Sequence, residues 1–395
     1  MTVQARNQAG RTRDVLQEVK VCTRCIMDTT DPEIEFDPHG VCSHCRHYQA
    51  LAQRHLRQGP DGERELARLA EEIRRQGRGA DYDCVMGVSG GVDSTFVAYT
   101  AKRLGLRPLA VHMDNGWDSE LAVANIERVL KRLNIDLYTH VLDWEEFRDL
   151  QLTFLKASVP DAEIPTDHAI GAVIYATAAR RGISYILSGS NVATEGILPS
   201  SWTYGISDWR YIKSVHRQFG TVPLRYFPHY RWIDLYYYTG VKKIKTVRPL
   251  NYLPYVKRDV MRVLEDKLGW KYYGGKHYES IYTRFFQGYI LPRKFDIDKR
   301  KAHLSTLICS GQMTRDAALQ EMKENQYIDR LQQEDREYVI KKLGVTEEEF
   351  EHIMALPAKT HRDYPNSEHL LARVRGAVRV VKRLGLLPQD VAGPI

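Results

Sequence analysis

The stretch GVSGGVDST, Gly87 to Thr95, constrains this chain more than any other. It follows the apolar run YDCVM and precedes a helical rhythm, so it reads as strand, glycine-rich turn and helix. Such a junction aims backbone N–H groups and the positive end of a helix dipole at one point, which suits a phosphate. A Walker A loop would add a lysine for the β and γ phosphates, and none stands here. Hydrolysis at the γ-phosphate is therefore not expected.

From there the pattern alternates. Strands are predicted over 82–88, 107–112, 136–141 and 184–188, and helices over 92–104, 118–133, 143–157 and 168–182. A further strand, KIKTVRPL, and a helix from Lys257 to Leu268 follow. This is an α/β chain with a parallel sheet, whose ligands bind at the carboxyl ends of the strands. The expected division is a tail and cysteine module (1–50), a two-helix connector (51–79) broken by the turn signal GPDG, the α/β unit (80–292) and a C-terminal helical region (293–395). The aromatic, basic stretch 198–245 interrupts the rhythm and reads as an insertion shaping a pocket.

At 395 residues the chain exceeds what one core normally supports. No apolar run approaches the ~20 residues that span a bilayer, so no membrane span is expected. Residues 1–20 read as a mobile, polar tail without a signal-peptide core, which makes the cytoplasm the expected compartment. From Arg210 to Lys301, 21 Lys and Arg stand against 7 Asp and Glu, a surface for an anionic partner or a solvated face.

Cys22-x-x-Cys25 and Cys42-x-x-Cys45 have the spacing of a closed Cys₄ zinc ribbon, with His44 and His47 as bystanders. So small a segment needs the metal to fold. Cys84 reads as a buried strand residue and Cys309 as core packing.

The six residues SGGVDS resemble the PP-loop of ATP pyrophosphatases, the adenine nucleotide α hydrolase-like fold shared by NAD synthetase and tRNA-modifying thiolases. The resemblance implies that Ser89, Gly90, Gly91, Val92, Asp93 and Ser94 grip the β and γ phosphates of ATP and leave the α-phosphate open to attack. In VHMDNGWDS it makes Met113 and Asp114 the adenosine contacts. In LSGSNVATEG it makes Gly189 and Asn191 a nucleotide loop, and Glu195 a partner of Asp93 in binding Mg²⁺, although Glu195 also reads as a helix-start residue. In RPLNYLPYVKRDV it marks Arg248 and Lys257 as stabilising charge on the transferring phosphoryl group.

Over residues 20–325 the layout, including HYESIYTRFFQGYILPRKFDIDKRKAHLSTLICSGQM, resembles the N-acetyl sugar amidotransferases of bacterial surface-polysaccharide, lipopolysaccharide O-antigen and nonulosonic acid synthesis. That resemblance implies an acetamido sugar substrate, acidic or nucleotide-linked, converted to an acetamidino sugar. Ammonia would come from a glutaminase subunit paired with a cyclase-like subunit, since no glutaminase segment is recognisable in this chain. Trp202, Tyr204, Trp209, His277, Tyr278, Tyr282 and Arg284 are the candidates for the sugar pocket. Two other readings stand beside this one. A tRNA thiolase would use the basic face to grip RNA, but no cysteine pair lies in the α/β unit, and nucleic acid is not the expected partner. A noncatalytic nucleotide-binding scaffold would not need Asp93, Ser94 and Glu195 together.

Overall fold

The computed structural model describes residues 19–324, 327–370 and 373. The expected tail at 1–20 lies outside the described residues except for its last two, as does the helical region beyond Leu370, Arg373 apart.

Helices α1 (Ser43–His55) and α2 (Pro60–Gln76) precede the sheet. Its strands are β1 (Cys84–Gly87), β2 (Pro108–Asp114), β3 (Leu137–Val141), β4 (Tyr185–Leu187) and β5 (Lys245–Val247), all parallel, in the order β3-β2-β1-β4-β5. Between them run α3 (Val92–Arg103), α4 (Glu120–Leu133), α5 (Trp144–Ala157), α6 (Ile164–Arg180), α7 (Val192–Glu195), α8 (Trp209–Phe219) and α9 (Trp232–Tyr236). After β5 come α10 (Lys257–Leu268), α11 (Ile281–Phe285), α12 (Lys299–Cys309), α13 (Arg315–Lys323), α14 (Asp329–Leu343) and α15 (Glu347–Ala355). No helix among the described residues is long and apolar enough to cross a membrane.

Alternate strand residues face opposite sides. Cys84, Met86, Ala110, Tyr185 and Leu187 join one buried cluster with α3, α4 and α10, whereas Val85, Leu109, Val111 and Ile186 join another with α5, α6 and α11. Helices cover both faces, which is why β1 and β4 read as continuous apolar runs. Cys84 is part of this core, as its sequence suggests.

The chain leaves β1 towards β2 and later returns on the other side as β4. Loops at the carboxyl ends of β1 and β4 thus diverge, and a crevice opens between them. SGGVDS spans the loop after β1 and the first turn of α3, and SGSN lies in the loop after β4.

Several boundaries differ from expectation for local reasons. The turn signal GPDG is a helix start: Gly59, at φ 81°, caps α2 and Pro60 is its first residue, where a missing N–H costs nothing. Helix α1 begins at Ser43, inside the expected cysteine module and before the expected connector, so the second cysteine pair opens a helix. Helix α6 starts at Ile164, four residues earlier than expected, with Pro165 in its first turn. The insertion holds α8 and α9 and is anchored through Tyr230 and Leu235 against Ala172 of α6.

Candidate functional site

The loop after β1 is held open by close approaches. Gly90 sits at φ 77°, and a Cβ there would stand 2.6 Å from the Ala122 carbonyl oxygen. A Cβ on Gly189, in the facing loop, would come within 3.1 Å of the Ser94 nitrogen and 3.2 Å of the Asp93 carbonyl carbon. Glycine lets the two loops meet. The Trp270 indole N–H donates to the Gly90 carbonyl at 2.8 Å and pins the turn. Gly91 caps α3 without a side-chain bond; the Val92 N–H meets the Tyr273 hydroxyl, and the next N–H groups of this twelve-residue helix could receive an anion. The Gly91 N–H donates to Ser89 Oγ, and the Ser89 N–H to Ser94 Oγ, each at 3.3 Å.

Behind the loop lies a charged cluster. Burial and the neighbouring Glu195 carboxylate push the Asp93 carboxyl above its ordinary range, against the pull of Lys257 and of the Tyr255 hydroxyl that donates to it. Burial lowers Lys257 in turn, opposed by Asp93. Lys276 Nζ is 3.6 Å from Glu195 Oε1. Two repelling carboxylates beside a phosphate-binding loop fit a divalent cation whose shell phosphate oxygens and water would complete. His277 lies in the left-handed region at φ 64°, with Nδ1 3.6 Å from Glu279 Oε1. Burial opposes ionisation of Glu279, but His277 outweighs it and holds the carboxyl below its usual range.

A cavity of about 1040 Å³ opens over the loop. Ser89, Ser94, Met113, Gly189, Asn191, Glu195, Arg248 and His277 line it, so eight of the expected site residues share one space. Asp114 does not: at the end of β2 its Oδ1 accepts the Gly116 N–H at 2.8 Å and shapes the turn. An adjoining chamber of about 530 Å³ is lined by Lys257, Tyr278 and Arg284, and the two spaces share Lys276, Gln287, Lys299 and His303. Burial and the nearby Lys276 hold His303, which lines both chambers, well below the usual imidazole range.

The other expected sugar contacts line neither chamber. Trp202 and Tyr282 are each 2% exposed and belong to the core. The Tyr204 hydroxyl donates to Asp208 at 2.7 Å and its ring stacks on His361. Trp209 stacks on His229 with centroids 4.2 Å apart. Aromatic composition drew attention to them, and packing explains them.

The sequence reading passed over several cavity residues. His112 Nε2 stands 3.2 Å from Asp118 Oδ2; burial would lower this imidazole, but Asp118 and the Val88 carbonyl hold it above its ordinary value. Asp161, Glu163 and Asp167 form an acidic wall beside Lys299. Burial, then the Glu163 and Asp161 charges, push Asp167 up to about 7. The local signals were His112 and Asp118 within VHMDNGWDS, and the acids Asp161, Glu163 and Asp167 around the start of α6.

The four expected zinc ligands converge. The Sγ atoms of Cys22, Cys25, Cys42 and Cys45 lie within 4.8 Å of one another and all four residues are buried. Backbone N–H groups of Arg24 and Cys25 donate to Cys22 Sγ, and that of Met27 to Cys25 Sγ, each at 3.4 Å, an environment suited to thiolates. These residues could hold one zinc ion. Cys309 packs against the core as expected, and its Sγ also stands 3.6 Å from Cys45 Sγ. The module is not separate from the site: His47, Leu51 and His55 of α1 line the large cavity. His47 is thus a wall residue, while His44 pairs with Asp31 at 2.6 Å.

Residues 279–377 match the family model described as LPS biosynthesis protein WbpG-like, C-terminal domain. No curated protein matches the chain. Among solved structures, the NH3-dependent NAD synthetase from Campylobacter jejuni subsp. jejuni is similar at 18% identity and TM-score 0.29, over 40% of this chain and 74% of that one. NMN synthetase from Francisella tularensis is similar at 12% identity and TM-score 0.27, over 60% of this chain and 92% of that one. A predicted subunit of tRNA methyltransferase from Methanocaldococcus jannaschii gives 15%, 0.27, 46% and 74%.

Proposed function

We propose that the protein is an ATP-dependent amidotransferase that converts the acetamido group of a sugar into an acetamidino group, releasing AMP and pyrophosphate. The observation that carries this reading is the lysine-free SGGVDS loop at the β1/β4 crevice, with Asp93 and Glu195 beside it and two joined chambers in front. The match of residues 279–377 to a WbpG-like LPS biosynthesis domain supports a carbohydrate substrate.

In this reading the loop holds the β and γ phosphates and the α-phosphorus faces the cavity. The acetamido oxygen attacks that phosphorus, and pyrophosphate leaves. The amide is a poor electrophile, and O-adenylation turns its oxygen into a leaving group. Ammonia then adds to the imidate carbon and AMP departs with the former amide oxygen, leaving C=NH in its place. Asp93 and Glu195 hold magnesium, which when bound spreads the charge developing on the phosphates. Arg248 lines the larger chamber, while Lys257 and Tyr278 line the smaller one, where we place the anionic part of the acceptor; Arg284 on the same wall is already paired with Asp335 at 2.7 Å. Ammonia comes from a separate glutaminase subunit.

The test is mass spectrometry of acetamido nucleotide sugars incubated with ATP, magnesium and ammonium. The expected product is lighter by about one mass unit, with AMP and pyrophosphate formed in step. Release of ADP, or sulfur transfer to RNA, would overturn the proposal.

A further inference from the structure

The insertion turns a set of side chains outward that a solvated face does not explain. In the helical segment from α9 onward, Leu235 and the half-buried Tyr238 face inward with Tyr230 and Tyr175. The opposite side carries Ile233 (66% exposed), Tyr236 (69%), Tyr237 (44%) and Val241 (60%), at i, i+3, i+4 and i+8. Both sides of this segment are therefore apolar, whereas a surface helix normally turns charge to water. Tyr226, 74% exposed, precedes it on the connecting loop.

Around this stripe the charge is nearly all of one sign. From Trp209 to Val247 there are eight Lys and Arg and one acid, Asp234, which is already paired with Arg231 at 2.9 Å. Helix α8 buries Tyr211, Ile212 and Val215 and exposes Arg210, Lys213 and Arg217 at i, i+3 and i+7. None of these three makes an ion pair among the described residues, and like charges at helical spacing repel. A groove of about 290 Å³ joins the two elements, walled by Trp209, Arg210, Lys213, Arg217, Arg231 and Trp232. The Trp232 indole N–H is buried without a partner among the described residues.

We infer that this face is a peripheral docking surface for an anionic lipid bilayer: Ile233, Tyr236, Tyr237 and Val241 enter the interface, and Arg210, Lys213 and Arg217 meet headgroup phosphates. Tyrosine and tryptophan favour the headgroup level, and cations flanking an apolar stripe are what a surface-lying segment needs. Exposed isoleucine and valine gain from acyl chains and offer nothing to a polynucleotide, so the bilayer fits better than RNA. The surface lies on the insertion, and the inference does not depend on which reaction the cavity performs.

The test uses the full chain and sedimentation with vesicles of equal parts phosphatidylglycerol and phosphatidylcholine, against vesicles of phosphatidylcholine alone. Binding is expected only to the anionic vesicles and should weaken as salt rises. Replacing Arg210, Lys213 and Arg217 together by Gln should lower the partition coefficient on the order of 10²-fold. A second variant, Ile233→Ser with Tyr236→Ser and Val241→Ser, should lose binding while unfolding at the parent temperature and releasing pyrophosphate at the parent rate, which separates docking from folding and catalysis. Equal binding to both vesicle types, no binding, an unchanged Ser variant, or retention by RNA or an acidic protein without lipid would each overturn the inference.

Discussion

Asp93 combines three demands: it is buried, it faces Glu195, which opposes its charge, and it accepts a hydrogen bond from the Tyr255 hydroxyl. A cation between the two acids would resolve the conflict, and that gives the first prediction. Asp93→Asn keeps the size and the hydrogen bond but removes the charge, so pyrophosphate release should fall on the order of 10²-fold or more while the thermal midpoint holds or rises. Retained release in a coupled pyrophosphate assay would remove Asp93 from the phosphate site. Asp167 carries the second prediction. Its folded value is raised to about 7 from an unfolded value of ~4, so the folded chain binds this proton more tightly. The stability it contributes is present below the unfolded value and is lost as pH rises towards 7. Asp167→Asn should match the parent below pH ~4, gain on it as pH climbs from ~4 to about 7 and keep a constant lead above that, read as the difference in unfolding midpoint across a pH series. The motif SGGVDS singles out Asp93 in the sequence, but not its burial beside Glu195 and Tyr255. Asp167 was not legible, because its perturbation comes from Glu163, Asp161 and burial, which only folding brings together.

At the scale of elements, the order of strands and helices from β1 to β4 was legible because buried parallel strands and covering helices have distinct apolar periods. Helix starts were less so: Gly59-Pro60 looks the same whether it turns the chain or begins a helix, and packing decides. The site depends on how tightly two loops approach α3 and α4. Gly90→Ala would force an alanine to φ 77° and set its Cβ 2.6 Å from the Ala122 oxygen, costing about 1–3 kcal/mol from the backbone strain alone. The expected outcome is a lower denaturation midpoint together with weakened nucleotide binding by calorimetry. Unchanged nucleotide affinity would show that the turn is structural and not a phosphate grip. Ser94→Ala, which leaves the backbone alone, serves as the control for lost contact without strain.

Over the whole molecule, the cysteine spacing made the convergence of four sulfurs legible but not its connection to the cavity. That connection runs through contacts between distant segments. Arg315 of α13 donates to the carbonyls of Cys25 at 3.0 Å and Cys22 at 3.1 Å, Lys301 of α12 pairs with Asp28 at 2.6 Å, and Ile26 packs with Leu304 and Ala318. On its other side Cys45 lies in the first turn of α1, where Tyr48 is buried close to Gly196 and His47, Leu51 and His55 face the cavity. The metal module is thus a wedge between the C-terminal helices and the loop after β4. Loss of the ion would leave four buried sulfurs without their bonds and release the start of α1, so its effect should reach the site. Stripping the metal with a chelator should lower the unfolding temperature by several degrees and slow pyrophosphate release together, with metal content following both. Arg315→Ala should retain the metal yet reproduce part of both losses, because it loosens the wedge and not the ion. A metal-free protein with unaltered melting and unaltered pyrophosphate release would make the module an appendage, and the wall formed by α1 would then owe nothing to the four cysteines.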